Sequence, residues 1–349
     1  MSQKTIAVLF GGCSPEYGVS LASAYSVLCH MDIQKHRPFP VGITPEGDWF
    51  AFEGEFEKIS SDQWHNNADC TPAAFNPGRT GRSLLLLRPD GVQPVLIDAA
   101  FPVLHGKNGE DGTLQGMFEL AGIPLVGCGT ASSALCMDKD RAHKLVSAEG
   151  VSVPQSFALN RSGGMETARR AAERIGYPLF VKPVRAGSSF GISRVTERSA
   201  LDGAVRLAFQ YDDTVLLEQA IEGFEIGCAV MGGETLTVGE LDEVELSGGF
   251  FDYTEKYSLK TSTLHVPARI SFEKSDQIKN TAKIIYRVLG CSGFARVDVF
   301  CTPQGKIVFN EVNTIPGFTS HSRFPNMMKA AGVSFEEVIA RAIEQAVGV

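Results

Sequence analysis

The sequence of 349 residues has no long apolar run, no excess of basic residues and no CxxC pair. A membrane-spanning helix needs about 18 consecutive apolar residues, so we predict no membrane partner. Lys and Arg number 32 against 40 Asp and Glu, which argues against a nucleic-acid partner because neutralising phosphates requires a basic surface. The eight cysteines are scattered, so we expect free thiols in a reducing, cytoplasmic location.

The order of strand and helix patterns predicts an α/β region followed by α+β regions. MSQKTIAVLFGG is interpreted as a first strand and not as a signal peptide, SLASAYSVLCHM as a helix, and PVLIDAAFPVLHG as another buried strand. The segment 50–92 is predicted to be a hairpin or an insertion. A small α+β unit ends near Glu218, and a capping box of Ser334 and Glu337 begins the last helix. We therefore predict a parallel α/β domain in 1–128 and α+β domains in 129–218 and 219–349.

Two strand patterns, FARVDVFC at 294–301 and KIVFNEVN at 306–313, predict a hairpin. A four-residue loop would place Arg296 opposite Glu311, with Asp298 diagonal to Glu311. Asp298, Glu311 and Asn313 would then present oxygen ligands on one sheet face, beside the arginine. Hard oxygen ligands suit Mg²⁺, which usually arrives with nucleotide phosphates.

The same periodicity places Phe300, Ile307 and Phe309 on the face of these polar residues. Apolar neighbours indicate that the face is covered, and this favours a functional site. A solvated polar face with an ordinary Arg–Glu cross-strand pair remains the alternative.

Three loops follow strand patterns and carry polar residues. GGCSPEYGVS holds Glu16 near the start of a helix, where it could equally cap that helix. FPVLHGKNGEDG holds His105 and the acidic pair Glu110 and Asp111, which could form a loop network. VKPVRAGSSFG places Lys182 before glycines that permit close approach to phosphates, although it is not a Walker A motif.

Acidic residues also end the strand pattern VLLEQAIEGFE, where Glu218 and Glu225 could bind an amine or a ribose, or could simply be exposed. FFDYTEKY at 250–257 is predicted to be an active-site lid, with a plain hairpin as the alternative.

Seven motifs, in this order, resemble those of the D-alanine–D-alanine ligase family of ATP-grasp enzymes. They cover nearly the whole chain: GGCSPEYGVSL, LHGKNGEDGTLQG, SALCMDK, VKPVRAGSSFG, FDYTEKY, FARVDVF and NEVNTIPGFTSHS. Within the family the chain looks closest to D-alanine–D-serine ligases of vancomycin resistance, type G. The resemblance implies an ATP-grasp fold in which two α+β domains sandwich ATP, two Mg²⁺ ions with Mn²⁺ as an alternative, and a homodimer.

The resemblance also implies a role for each matched residue. Catalysis is assigned to Glu16, Ser188, Tyr257, Arg296 and Gly317. Contacts with ATP are assigned to Lys139, Lys182, Glu218, Glu225, Lys256 and Phe300. Metal binding is assigned to Asp298, Glu311 and Asn313, and substrate binding to His105, Ser322 and Arg323. The implied reaction phosphorylates the D-alanine carboxylate, and the amine of a second D-amino acid then attacks the acyl phosphate.

Arg323 is informative about the identity of the second substrate. Ordinary family members carry an apolar residue after the matching serine, whereas this chain has Ser322-Arg323-Phe324-Pro325 and keeps Lys256-Tyr257 in the lid. That combination resembles the D-serine branch, and an arginine can donate to a serine hydroxyl directly or through water. We therefore expect D-serine to be favoured, with a housekeeping D-alanine–D-alanine ligase as the alternative. Gly18 departs from the glutamate usual in the E-x-E-V-S motif and puts the conformation of that loop in doubt.

Overall fold

Three β-sheets organise the computed structural model, which describes residues 3–66, 68–187, 190–246 and 262–348. In the described part of the chain, no helix is long and apolar enough to cross a membrane.

The first sheet has the strand order β6-β5-β4-β3-β2-β1-β7. Its strands are β1 (Lys4–Gly11), β2 (His36–Ile43), β3 (Trp49–Phe52), β4 (Cys70–Phe75), β5 (Ser83–Arg88), β6 (Gly91–Leu96) and β7 (Ala99–Pro102). The associated helices are α1 (Tyr17–His30), α2 (Glu57–Ser60) and α3 (Thr113–Ala121). Strand β1 is parallel to β2 and β7, which confirms the predicted parallel core of this sheet.

The segment 50–92 extends this sheet by antiparallel strands from β3 to β6. The predicted single buried strand PVLIDAAFPVLHG was wrong in one respect. Its first part belongs to β6, which is an exposed edge strand, and its second part forms the fully buried β7. A single apolar run therefore spans two strands with opposite environments.

The second sheet has the order β10-β9-β11-β8, with antiparallel neighbours. Its strands are β8 (Ser156–Asn160), β9 (Leu179–Pro183), β10 (Ser193–Val195) and β11 (Thr214–Gln219). Helices α6 (Gly164–Ile175) and α7 (Arg198–Ala208) cover it. Small side chains of α6, Ala168, Ala171 and Ala172, are buried against the sheet and allow close helix packing.

The third sheet has the order β14-β13-β12-β15-β16. Its strands are β12 (Phe224–Gly232), β13 (Leu236–Leu246), β14 (Ser262–His265), β15 (Phe294–Cys301) and β16 (Ile307–Asn313). The helices around it are α4 (Thr130–Met137), α5 (Lys139–Ala148), α8 (Phe272–Val288), α9 (Arg323–Ala330) and α10 (Phe335–Val347). Ser334 accepts a hydrogen bond from the Glu337 amide at 3.2 Å, which confirms the predicted cap of α10.

The predicted domain division, 1–128, 129–218 and 219–349, stays a prediction. The three sheets fall in these ranges to within one residue, since β11 ends at Gln219. Helices α4 and α5, however, contact β16 of the third sheet, and Ala142 and Val146 of α5 belong to the core beneath that sheet.

Candidate active site

The hairpin of β15 and β16 pairs in a different register from the one predicted. Arg296 lies opposite Asn313, and Asp298 lies opposite Glu311. A β-bulge between Asp298 and Val299 shifts the pairing beyond it, so the predicted pairing of Arg296 with Glu311 was wrong. The predicted diagonal relation of Asp298 to Glu311 is instead a direct pairing.

The bulge also turns Phe309 away from the polar face. Phe309 pairs with Val299 and is buried in the core on the other side of the sheet, together with Val297 and Val312. The prediction that Ile307 and Phe309 cover the polar face was therefore wrong. The polar residues keep one face because Arg296, Asp298, Glu311 and Asn313 all pair before the bulge, which shifts the alternation only beyond it.

Asp298 is the centre of this polar face and is almost fully buried. Arg296 donates to both of its carboxylate oxygens, each at 2.8 Å at the shortest, and Asn313 Nδ2 donates at 2.9 Å. Glu311, opposite Asp298, has its Oε2 3.8 Å from Lys139 Nζ. Two carboxylates and one side-chain amide are thus adjacent, which is the ligand chemistry that suits Mg²⁺.

A second group of residues lies at the carboxyl ends of the parallel strands β1 and β7. Glu16 is buried, and its Oε2 would lie 2.6 Å from a Cβ at Gly106 and 2.9 Å from a Cβ at Gly187. Glycine is therefore required at both positions for this carboxylate to fit. The loop after β1, the loop after β7 and the Gly/Ser loop after β9 meet at Glu16.

His105 is buried next to this carboxylate. Its Nδ1 lies 2.9 Å from the Ile315 carbonyl oxygen, so Nδ1 carries the proton and donates. Burial lowers the pKa of His105, which keeps the imidazole neutral. The histidine therefore joins the loop after β7 to the segment after β16.

Glu110 also joins the loop after β7 to the segment after β16. The sequence patterns indicated this contact only as a loop network. Its Oε2 accepts from the Gly106 amide at 2.7 Å, and its Oε1 accepts from the Ile315 amide at 3.2 Å. Burial, and secondly the charge of Glu16, raise the pKa of Glu110 to about 8. This carboxyl group thus fixes both loops beside the polar hairpin.

The predicted ATP-binding lysines are both buried at the edge of this region. Lys139, at the start of α5, donates to the Ala186 carbonyl oxygen at 2.9 Å. Lys182, near the end of β9, donates to Glu218 Oε1 at 2.6 Å. Residues from all three sheet units line a cavity of about 30 Å³: Glu110, Lys139, Gly187, Glu311 and Asn313 are among them.

His143, which the sequence analysis did not single out, faces Glu218 from α5. Its Nδ1 lies 3.7 Å from Glu218 Oε2, and neither atom has a hydrogen-bond partner within the described residues. Its Nε2 lies 2.8 Å from the Asn310 carbonyl oxygen. Only the fold reveals this neighbour, because a lone histidine in a helix carries no distinctive spacing.

Arg323 lies at the start of α9, and its side chain reaches strands β12 and β13 of the third sheet. Its Nε and Nη2 donate to the two oxygens of Asp242 at 2.7 and 2.8 Å, and its Nη1 donates to Glu225 Oε1 at 2.8 Å. Glu225 pairs with Phe300 across β12 and β15, so the predicted ribose and adenine contacts are neighbours. Asp242 was missed, since a carboxylate in the middle of a strand pattern gives no sequence signal of its partner.

Gly317 and Ser322 lie close together in the loop between β16 and α9. A Cβ at Gly317 would lie 2.8 Å from Ser322 Oγ, which is 2.8 Å from Thr319 Oγ1. The remaining predicted site residues, Ser188, Lys256 and Tyr257, lie outside the described residues.

Comparisons with known proteins agree with this arrangement. Residues 5–128 match the family model "D-ala D-ala ligase N-terminus", and residues 145–344 match "D-ala D-ala ligase C-terminus". The chain is 44% identical over 342 residues to the vancomycin C-type resistance protein VanC1 of Enterococcus gallinarum, covering 97% of each chain. It is 42% identical over 354 residues to a D-alanine–D-alanine ligase of Caldicellulosiruptor bescii, covering 99% of this chain and 96% of that relative.

Among solved structures, the VanG D-Ala:D-Ser ligase of Enterococcus faecalis superposes with a TM-score of 0.93 at 53% identity, covering 99% of this chain and 100% of the other. Sheets, hairpin and loops thus follow the ATP-grasp ligase architecture that the motifs predicted. The chain belongs to the D-alanine–D-alanine ligase family of ATP-dependent dipeptide ligases.

Proposed function

We propose that this enzyme joins D-alanine to D-serine and makes a peptidoglycan-precursor dipeptide of the vancomycin-resistance type. The observation that carries the proposal is the convergence of three sheet units on one small cavity, which is lined by Glu110, by Lys139 and Gly187, and by Glu311 and Asn313 of the hairpin. The Glu16 carboxylate lies against Gly187, one of the lining residues. The similarity to a D-Ala:D-Ser ligase supports the choice of second substrate.

Glu16 would bind the ammonium group of the first D-alanine, and His105, held neutral by burial, would orient the same substrate. The carboxylate of D-alanine attacks the γ-phosphorus of ATP, the bond to ADP breaks, and an acyl phosphate forms. Lys139 and Arg296 would neutralise charge on the transferring group, since phosphoryl transfer depends mainly on positioning and electrostatics. The amine of the second D-amino acid then attacks the acyl carbon, and inorganic phosphate leaves.

Asp298, Glu311 and Asn313 would hold Mg²⁺, because two carboxylates and an amide oxygen form a hard donor set. A divalent ion bound there supplies charge neutralisation for the nucleotide phosphates. In the described structure Arg296 balances the charge of the Asp298 carboxylate through three hydrogen bonds. A homodimer remains our expectation for the assembly.

A housekeeping D-alanine–D-alanine ligase is the second candidate. The relative from Caldicellulosiruptor bescii supports it, and so does Arg323, whose Nε, Nη1 and Nη2 already donate to carboxylates in this structure. A side chain held in this way does not by itself select a hydroxyl-bearing substrate.

The deciding experiment measures ATP- and Mg²⁺-dependent phosphate release with D-alanine alone and with D-alanine plus D-serine, and identifies the dipeptides by mass. Predominant D-Ala–D-Ser is the expected result. Exclusive D-Ala–D-Ala would leave the ligase assignment intact and refute the D-serine preference.

A further inference from the structure

Ser23 of helix α1 is a buried polar residue to which the reaction described above gives no role. Its side chain has no exposed surface. Its Oγ accepts a hydrogen bond from the Phe318 amide at 3.3 Å and lies 3.5 Å from His105 Nε2. Because Nδ1 of His105 carries the proton, Nε2 is an acceptor and the Ser23 hydroxyl can donate to it. Ser23 therefore connects the first helix to the segment after β16.

The loop after β7 holds the other end of that segment. The Ile315 amide donates to Glu110 Oε1 at 3.2 Å, and the Ile315 carbonyl accepts from His105 Nδ1 at 2.9 Å. Both polar backbone groups of Ile315 are thus bound by side chains of one loop. We call Ser23, His105 and Glu110 the clamp, since they hold the segment 315–318 at both of its ends.

The clamp encloses Gly317, whose N–H the family resemblance assigns to the oxyanion position. Pro316 has a fixed φ and no N–H, so it stiffens the stretch between the two held residues. The Phe318 ring is buried, with its centroid 4.8 Å from that of Phe294. The ring fixes where the segment lies, whereas the bond to Ser23 fixes the direction of the Phe318 amide. The first sheet unit thus orients the backbone on both sides of Gly317.

We propose that Ser23 and Glu110 are positioning residues that, together with His105, aim the Gly317 N–H at the acyl oxygen when the second amine attacks. The inference rests on the proposed acyl phosphate reaction and on the predicted role of Gly317. As the C–N bond forms, the carbonyl electron pair moves onto the acyl oxygen, and the N–H stabilises that negative charge. The carbonyl then re-forms, and its bond to the phosphate oxygen breaks. A donor that is oriented before the reaction needs no reorganisation in the transition state.

The clamp has a consequence that distinguishes it from a general contribution to stability. Phosphoryl transfer develops charge on the phosphoryl oxygens, so a displaced Gly317 N–H slows it less than it slows amine attack. The acyl phosphate then persists, and water can attack its phosphorus. That attack breaks the P–O bond to the acyl group and releases D-alanine and inorganic phosphate without using the oxyanion position. Loss of the clamp is therefore expected to release phosphate without dipeptide.

The test compares Ser23→Ala and Glu110→Gln with the matched control Ser26→Ala. Ser26 is also buried in α1, and its contact with His30 Nδ1, at 2.8 Å, is made by its carbonyl oxygen, which the substitution keeps. Glu110→Gln retains one carbonyl oxygen for two backbone amides, so one of them loses its acceptor. Circular dichroism and thermal unfolding first establish which variants are folded, and either clamp variant can decide the question alone.

Phosphate and total dipeptide are measured in the same samples, with ATP, Mg²⁺, D-alanine and D-serine. The wild type and Ser26→Ala are expected to release about one phosphate per dipeptide. In Ser23→Ala and Glu110→Gln we expect about three or more phosphates per dipeptide and a kcat for dipeptide that falls about tenfold. The KM for ATP should change less than about twofold, because the nucleotide contacts are untouched.

A ratio that stays near one in both clamp variants, whatever the loss of rate, would overturn the positioning role, because phosphate and dipeptide would then fall together. Uncoupling in Glu110→Gln but not in a folded Ser23→Ala would remove Ser23 from the clamp. If the wild type releases no phosphate with these substrates, the proposed function itself fails. A coupled wild type with coupled variants refutes the clamp alone.

Discussion

Lys182 and Glu218 form a buried ion pair, with Nζ 2.6 Å from Oε1 and side chains that are 7% and 3% exposed. The carboxylate keeps its other oxygen toward His143, at 3.7 Å and without a hydrogen bond in the described structure. Among the residues that the structure describes, Lys182 is therefore the cation hydrogen-bonded to Glu218.

We predict that Lys182→Met lowers the free energy of unfolding by about 3 kcal/mol, because it leaves a buried carboxylate without its partner. The double variant Lys182→Met/Glu218→Leu is expected to lose less than the sum of the single variants, since it removes both charges. Urea unfolding followed by circular dichroism measures these values. Asp213→Asn, which breaks the exposed pair with Arg161, should cost no more than about 1 kcal/mol. If the double variant lost as much free energy of unfolding as the two single variants together, the coupling between Lys182 and Glu218 would be contradicted.

Lys139 offers a test of the nucleotide site with a control on the same helix. Lys139→Ala removes a buried cation that contacts the Ala186 carbonyl and lies 3.8 Å from Glu311. We expect kcat/KM for ATP to fall about 100-fold, because charge compensation at a buried phosphate site is lost. Lys144→Ala alters a lysine of α5 that is 71% exposed and pairs with Asp140, and it should change this parameter less than about twofold.

Steady-state kinetics at saturating D-alanine distinguishes the two lysines. If Lys144→Ala lowered kcat/KM as much as Lys139→Ala, general destabilisation of α5 would explain both results. If neither variant changed it, Lys139 would not contact ATP.

Glu110 predicts a pH dependence of stability. Burial and the nearby Glu16 raise its pKa from 4.5 to about 8 in the folded state. The folded protein then keeps a proton that the unfolded chain releases, so the free energy of unfolding falls as the pH rises from 4.5 to 8 and levels off above that range. Glu110→Gln cannot titrate and should show a shallower fall than the wild type in metal-free buffer.

The comparison is a series of urea unfolding curves between these pH limits. Glu149→Gln, which alters an exposed carboxylate at the end of α5, is the control and should follow the wild-type slope. Titrating groups that do not interact with Glu110 contribute equally to all three proteins and cancel. Parallel curves for wild type and Glu110→Gln would mean that Glu110 is ionised throughout.

Local patterns of the sequence predicted much of the fold because they depend on near neighbours. The strand of β1, the helix α1 and the cap at Ser334 each follow from periodicity or from a residue pair within one turn. The shared face of Asp298, Glu311 and Asn313 was also readable from the alternation of side chains along the two strands. Their role as metal ligands stays a prediction.

Register and long-range partners could not be read in the same way. The bulge in the hairpin adds one residue to β16, and no residue type in the sequence predicts its position. It moves Phe309 to the opposite face of the sheet. The pair of Arg323 and Asp242 joins residues 81 positions apart, so it exists only after α9 packs against β13. A motif assigns a residue to a site, whereas the other residues that hold it there become visible only in the folded chain.

Gly317 tests the loop predicted to hold the second substrate. Gly317→Ala would place a Cβ 2.8 Å from Ser322 Oγ and 3.3 Å from Ser322 Cβ, so the serine must move. We expect turnover to fall about 10- to 100-fold and the KM for the second D-amino acid to rise, because small displacements of a positioning group are costly in catalysis. The KM for the first D-alanine should stay near the wild-type value, since Glu16 and its loops are untouched.

Gly203→Ala is the matched control, because Gly203 lies in α7 with no atom within 4 Å of the added methyl group. In a helix interior this change should stabilise the protein by about 0.5–1 kcal/mol and leave turnover unaltered. Initial rates with each substrate varied in turn, together with thermal unfolding, provide all the required values. Wild-type turnover and KM in Gly317→Ala would show that Ser322 can move without consequence, and its assignment to the second substrate would then be wrong.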